Sequence, residues 1–306
     1  MSLDDPSAPV RLVHFSDIHV TTRPLGWRRG DYFTKRLAAW VNLYGLGRAY
    51  RFRHAEKVLA TLREEMRRSP PDRVLFTGDA TALGFEAEVA RAAELLGLHN
   101  GHPLPGLAVP GNHDYHVRAA AMSGAFERHL APWQEGERVD GATYPFAQRV
   151  GSVWLVAVNS SVANRWFWDA RGFVDEPQLE RLERLLAQLS KGYRILVTHY
   201  PVCLSGGEPE ARHHGLRNLD RLVDLARRGG IGLWLHGHRH VAYHHTQTAW
   251  TSFPVICSGS ATQAGKWSYG EYTLRADRLT GVRKVYDAPA DRFRQADAFE
   301  MSLRLL

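Results

Sequence analysis

Five short apolar runs in this chain end in residues able to hold a metal, and that recurrence constrains the fold more than any other feature. Residues 10–16 (VRLVHFS) run into Asp17-x-His19. Residues 74–77 run into Gly78-Asp79, and 107–109 into Pro110-Gly111-Asn112-His113-Asp114. Residues 195–197 lead to His199, and 231–235 to His236-Gly237-His238-Arg239-His240. Each run has the length and aliphatic content of a buried strand, as does 153–158. Helical patterns lie between them. Val58, Leu59, Leu62 and Met66 share one face of 55–66, and 217–227 places Leu219, Leu222, Val223 and Ala226 alike. In 177–189, Leu179, Leu182, Leu185, Leu186 and Leu189 recur at helical spacing, with Pro177 in the first turn. Strands alternating with helices predict an α/β fold, whose ligands gather outside the carboxyl ends of the strands. A lone strand-end Asp is ordinarily a helix cap and a lone His a structural side chain. Five such endings in order carry the inference.

From about residue 253 the pattern changes. Residues 253–256, 269–275 and 282–286 read as consecutive strands without intervening helices, predicting a second, partly antiparallel sheet. No repeat or linker divides the chain. The expected organisation is one domain over 1–290, with an insertion at about 22–53 and a mobile, lid-like loop at about 204–217. A tail, 291–306, follows; its Phe293, Phe299, Leu303 and Leu306 suit packing, dimerisation or membrane contact.

Composition enters by exclusion. Cys203 and Cys257 are the only cysteines in 306 residues, too few for a disulfide scaffold, and no apolar run is long enough to span a bilayer. The opening MSLDDPSAPV is acidic and polar, unlike a secretory signal, so a soluble, cytoplasmic protein is expected. Charge is concentrated. Residues 23–53 hold Arg23, Arg28, Arg29, Lys35, Arg36, Arg48, Arg51 and Arg53 against Asp31 alone, which equals the formal charge of +7 for the whole chain. Trp27, Tyr32, Phe33, Trp40, Tyr44, Tyr50 and Phe52 are interleaved with them. Basic and aromatic residues together suit an anionic partner: lipid headgroups, nucleic acid or a phosphorylated substrate.

The ordered pattern D-x-H, G-D, G-N-H-D, H and G-H-x-H, from Asp17 to His240, resembles the calcineurin-like metallophosphoesterase superfamily. The resemblance implies a two-sheet α/β/β/α sandwich with a dinuclear metal centre between the sheet ends. It assigns one metal to Asp17, His19, Asp79 and His240, and the second to Asp79, Asn112, His199 and His238, with Asp79 bridging. It further implies attack of a metal-bridging hydroxide on phosphorus, with His113 as general acid and Asp114 orienting its imidazole. Imidazole and oxygen ligands without thiolate suit manganese, iron or zinc without choosing among them; manganese is the expected metal, with iron or zinc as alternatives. His238 and His240 are two residues apart and would point oppositely on extended backbone, so a loop allowed by Gly237 is expected there. The family's protein-phosphatase branch places a D-R-G with its phosphate-binding arginine in the stretch after the G-D; here Ala80-Thr81-Ala82-Leu83-Gly84 stands there, so that activity is not expected. The Gly-Asn-His-Asp motif is instead similar to that of the cyclic-nucleotide phosphodiesterase branch.

The insertion is the most individual feature. Phe33, Leu37, Trp40, Val41 and Tyr44 fall on one face of a helix, with Lys35, Arg36, Ala39 and Asn42 elsewhere. Two readings stand side by side: that face docks on the core, or it serves as a lid or a peripheral contact with an anionic membrane. Arg28, Arg29, Trp40 and Tyr44 are candidate substrate contacts on the second reading, and His213, His214 and Arg217 are candidates from the loop at 204–217. An acyl chain along the helix with arginines on phosphates suits a lipid-linked nucleotide. That resembles the calcineurin-like UDP-2,3-diacylglucosamine pyrophosphatases, acting at the inner membrane face. A soluble 3',5'-cyclic nucleotide phosphodiesterase is the alternative, a nuclease a further one. A non-catalytic protein-binding scaffold is disfavoured because no signature ligand is missing.

Overall fold

The computed structural model describes residues 8–99, 101–275 and 277–303. The opening heptapeptide and Leu306, which entered the signal-peptide and tail arguments above, lie outside them.

Two sheets face each other. The first has six strands: β1 (Val10–Phe15), β2 (Arg73–Phe76) and β3 (Gly106–Ala108), then β11 (Ser268–Arg275), β12 (Arg278–Asp287) and β13 (Arg292–Ser302). Their order is β13-β12-β11-β1-β2-β3. The second has seven: β4 (Glu137–Arg138), β5 (Phe146–Val150), β6 (Val153–Ala157), β7 (Tyr193–Val197), β8 (Ile231–His236), β9 (Ala242–His245) and β10 (Val255–Ser258), in the order β4-β5-β6-β7-β8-β10-β9. Strands β1, β2 and β3 run parallel, as do β6, β7, β8 and β10.

The helices are α1 (Lys35–Trp40), α2 (Ala55–Arg68), α3 (Glu86–Leu96), α4 (Arg118–Ser123), α5 (Ala125–His129), α6 (Glu176–Gln188) and α7 (Leu219–Arg228). Alternation along the strands sorts their side chains into layers. Leu12 of β1 and Leu75 of β2 join Leu155, Ile195 and Leu233 between the sheets, while Val13, Phe15, Val74 and Phe76 turn outward against Val58, Leu62, Val89 and Ala92 of α2 and α3. On the far side Trp154, Leu196 and Trp234 pack against Leu179, Leu182, Leu222 and Val223 of α6 and α7. Helix α6 begins where Asp175 accepts a 2.9 Å hydrogen bond from the Gln178 amide, with Pro177 in its first turn. The result is the expected α/β/β/α sandwich. None of its described helices is long and apolar enough to cross a membrane.

Two expectations are corrected. The strand near 253–256 is β10, which lies parallel to β8 in the larger sheet, whereas β11 to β13 extend the smaller sheet from β1. The stretch set apart as a tail is largely β13, antiparallel to β12 along its length and anchored by Phe293, Met301 and Leu303.

Candidate metal centre

The five polar endings converge where the parallel strands stop. Asp17 follows β1, Asp79 follows β2, the turn 111–114 follows β3, His199 follows β7, and His238 and His240 follow β8. The connections there are unusually bent. Asp17, His19, Asp79, His238 and His240 all have φ between 42° and 74°, a left-handed conformation that side chains with a Cβ avoid. This bend, rather than freedom at Gly237, brings His238 and His240 to the same side. Gly237 is required for another reason: a Cβ there would collide with Ser16 Oγ and meet Asp17. A Cβ on Gly78 would strike the Gly111 backbone, and one on Gly111 would strike Asp79. The loops after β2 and β3 therefore interlock through two glycines, which sets Asp79 at the centre.

Asp79 faces both ways. Its Oδ2 lies 3.5 Å from His19 Nε2 and its Oδ1 lies 3.6 Å from His199 Nε2. On the first side, one donor atom each from Asp17, His19, Asp79 and His240 falls within 4.8 Å of the others. On the second, Asn112 Oδ1 lies 3.1 Å from His199 Nε2 and 2.9 Å from His238 Nδ1.

Proton positions test whether these groups suit cations. His19 Nδ1 donates to the Thr81 carbonyl, His199 Nδ1 to the Thr77 carbonyl at 2.7 Å, and His240 Nδ1 to Gln263 Oε1. A carbonyl oxygen only accepts, so all three Nδ1 atoms carry the proton and all three Nε2 atoms present lone pairs. Yet His19 Nε2 and His240 Nε2 lie 3.1 Å apart, and His240 Nε2 lies 3.1 Å from Asp17 Oδ1, which no hydrogen-bond donor reaches. Buried acceptors facing acceptors are stable only with positive charge between them. Burial, followed by the neighbouring Asp17 and Asp114 charges, raises the Asp79 carboxyl well above its ordinary value, which is the same electrostatic deficit. The residues fit a pair of divalent cations.

The sequence matches the calcineurin-like phosphoesterase family over residues 10–242. The chain belongs to that family. It is a metallophosphoesterase, a hydrolase of phosphoester bonds, and the family together with the Asp/His cluster indicates a dinuclear site for divalent metal. Solved structures share the fold at low identity. A dimetal phosphatase from Danio rerio is 14% identical with a TM-score of 0.65, over 98% of this chain and 100% of its own. A purple acid phosphatase from yellow lupin (Lupinus luteus) seeds is 13% identical with a TM-score of 0.58, over 97% of this chain and 54% of its own. No curated protein matches the sequence.

Other expected contacts of this phosphoesterase fall differently. His113 lies beside the cluster, its ring 4.7 Å from that of His19. Asp114 does not touch the imidazole: Oδ1 accepts from the Thr81 amide at 3.0 Å and Oδ2 from the Gly111 amide at 2.8 Å, fastening the two loops together. His113 Nδ1 instead donates to the Ala82 carbonyl at 2.8 Å, and its Nε2 accepts from Arg48 Nη2 at 3.1 Å. Burial and the Arg48 charge both hold this imidazole well below its ordinary pKa.

A pocket of about 400 Å³ opens above the cluster, lined among others by Lys35, Arg48, His113, His116, Phe167 and Asp169. From the loop at 204–217 only His214 lines it. His213 is exposed beside it, and its carbonyl accepts from the Ala170 amide. Arg217 is spent on Asn164 and the Gly172 carbonyl. The loop itself is tied down, by the Gly172–Leu216 bridge and a 3.2 Å ion pair from Glu210 to Arg239. Arg28 and Arg29 are exposed and outside the pocket.

The insertion is not one long helix. A 3-10 turn (Arg29–Phe33) leads to α1, which continues as a π turn (Val41–Gly45), and a second 3-10 turn follows at Arg48–Phe52. It docks through Arg36, Ala39 and Leu43 and, of the apolar stripe, through Tyr44. Arg36 is buried, paired with Asp31, donating to the carbonyls of Leu83 and Gly84, and stacked 4.1 Å over the Phe85 ring. Tyr44 packs beside Leu43 and donates to or accepts from Thr21. Trp40 packs against Tyr44 and Trp27 and is partly exposed. Phe33, Leu37 and Val41 remain exposed, Phe33 by 91%. Sequence reasoning missed a second aromatic cluster, where Trp166 and Trp168 stack at 5.0 Å and Phe167, which lines the pocket, is 70% exposed; the run Trp-Phe-Trp was the available signal.

Proposed function

We propose that the chain cleaves a phosphodiester or pyrophosphate bond in an amphiphilic substrate, a lipid-linked nucleotide such as UDP-2,3-diacylglucosamine, at an anionic membrane face. The observation that carries this reading is the exposed apolar surface on two segments that line the pocket. Phe33, Leu37, Trp40 and Val41 stand exposed on the insertion whose Lys35, Ala38, Ala39 and Asn42 line the pocket, and Trp166 and Trp168 stand exposed on either side of Phe167, which lines it as well. Exposed aromatic clusters of this kind mark surfaces that meet apolar partners.

In this reading Asp17, His19, Asp79 and His240 hold one cation and Asp79, Asn112, His199 and His238 the other, Mn²⁺ being the expected metal. When bound, two such ions supply Lewis-acid polarisation of the phosphoryl group and lower the pKa of water. The chain does the rest. Asp79 turns one oxygen to each half of the site, and Asn112 contributes a neutral oxygen that leaves room for an anionic phosphate. Thr77, Thr81 and Gln263 fix the tautomers of His199, His19 and His240. His113 holds its proton on Nδ1, so Nε2 delivers one to a leaving oxygen only after it has been protonated and Arg48 has moved away.

Turnover of UDP-2,3-diacylglucosamine beside cyclic AMP, in one Mn²⁺ buffer, tests the substrate. Turnover of the lipid is expected, with a Phe33→Ser/Phe167→Ser double variant losing most of it while keeping activity on a small chromogenic diester. Turnover of cyclic AMP alone refutes the proposal and leaves the exposed aromatic surface a packing feature.

A further inference from the structure

The insertion brings two cationic side chains into the pocket that nothing above employs on a substrate. Arg48 reaches in from the second 3-10 turn, and its one polar partner among the described residues is His113 Nε2. Other arginines around the site are matched to acids: Arg36 to Asp31, Arg171 to Asp169 and Arg239 to Glu210. Arg48 has no carboxylate within ion-pair distance among the described residues, although it feels the charges of Asp79 and Asp17. A guanidinium held in a pocket without an acid presents its free donors to an anion.

Lys35 lies on the same wall. His113 stacks on His116 with ring centroids 5.6 Å apart, and His116 in turn adjoins Lys35. Arg48 bonds to His113, whose ring lies 4.7 Å from that of His19, a metal-ligand candidate, whereas Lys35 adjoins His116, one ring further from that candidate along the stack. Arg48 is therefore the inner cation and Lys35 the outer one. Burial lowers the Lys35 ammonium to about 8, and the nearest acid, Asp169, is already paired with Arg171. Two unmatched cations in series along one wall, starting at the metal ligands, describe a track for two successive negative groups.

We propose that Arg48 binds the oxygens of the phosphoryl group lying over the metal ligands, and that Lys35 binds a second phosphate of the same substrate. The substrate class is thereby a diphosphate. This rests on the phosphoesterase reading of the site and narrows it. It also accounts for the missing arginine after Asp79: the phosphate-gripping guanidinium comes instead from the insertion, on residues 31 positions earlier in the chain.

The test is calorimetric affinity of the Mn²⁺-loaded protein for inorganic phosphate and for methylenediphosphonate, with Mn²⁺ in excess of either anion. Arg48→Ala is expected to weaken both by about tenfold or more, the scale of a charge-assisted hydrogen-bonded pair, and Arg48→Lys to restore part of the loss. Lys35→Ala is expected to leave phosphate affinity unchanged and weaken the diphosphonate about threefold or more. Unchanged phosphate affinity in Arg48→Ala overturns the inner site. A Lys35→Ala protein that loses both anions equally, or neither, overturns the outer one. Metal content is measured on every protein; if Arg48→Ala has lost metal, Arg48→Lys decides, since it keeps the charge and loses only the fork. Wild-type protein that binds neither anion and hydrolyses no phosphodiester refutes the phosphoesterase reading itself, whereas hydrolysis with unaltered variants refutes the track alone.

Discussion

Glu88 offers a quantitative test of how the floor of the insertion is held. It is fully buried at the start of α3, and its Oε2 accepts from the amides of Leu83 and Phe85 at 3.0 and 3.1 Å, while Oε1 has no hydrogen-bond partner. Burial, only partly opposed by those two amides, raises its carboxyl from an ordinary 4.5 to about 7. The folded protein therefore keeps a proton that the unfolded chain releases near pH 4.5. Stability is highest below that point, falls as pH rises to about 7, and is flat beyond it as far as this group is concerned. At about 1.4 kcal/mol per tenfold change in proton affinity, the loss amounts to about 3 kcal/mol. Glu88→Gln keeps an oxygen for the two amides and cannot ionise. It should match the wild type at pH 4 and exceed it by up to about 3 kcal/mol at pH 8. Urea unfolding of both proteins at the two pH values, with metal content matched, measures the difference while every shared titration cancels. A variant advantage that does not grow with pH, or a wild-type advantage at pH 8, would show that Glu88 is ionised in the fold and refute the reasoning.

Two further outcomes bear on the centre. Asp79→Ala should remove both metals and all activity, because its two oxygens face the two halves of the site; elemental analysis showing two metals retained would disprove the bridging role. His113→Ala should cost about a hundredfold or more on an alkyl phosphodiester but far less on a nitrophenyl ester, whose leaving group needs no proton. Equal losses on the two esters would mean that His113 serves only to orient Arg48.

The candidate ligands were legible as a group because their chemistry is written locally. A strand end, a tight turn and a metal-binding side chain leave the same short signature wherever they occur, and Asp17, His19, Asp79, Asn112, His199, His238 and His240 all lie together in the structure. The docking of the insertion was not legible. Periodicity counts apolar residues, yet the buried anchor of α1 is Arg36, made compatible with burial by Asp31 and by the carbonyls of Leu83 and Gly84. Most of the apolar stripe, Phe33, Leu37, Trp40 and Val41, consequently faces outward. For the same reason Arg48 was one basic residue among eight in the sequence, since charge alone carries no direction. Strand β13 was hidden by its polar outer edge: RFRQADAFEMS buries only Phe293 and Met301. The place of β10 depends on a partner, β8, that its own residues do not name.

The position of β1 has a consequence for how the protein is made. This strand, which carries Asp17 and His19, lies between β2 on one side and β11 on the other. The backbone just beyond it is gripped from far downstream: Ser260 Oγ donates to the Asp17 carbonyl at 2.7 Å and Thr262 Oγ1 to that of Ile18 at 2.6 Å. The first candidate ligands to leave the ribosome are thus among the last to be fixed. A nascent chain that has passed Asn112, or even His199, still lacks His238, His240 and the two hydroxyls that hold Asp17 in its bent conformation. Metal capture is therefore expected only of the nearly finished polypeptide, and a stalled or truncated product ending before Ser260 should carry candidate ligands without a site.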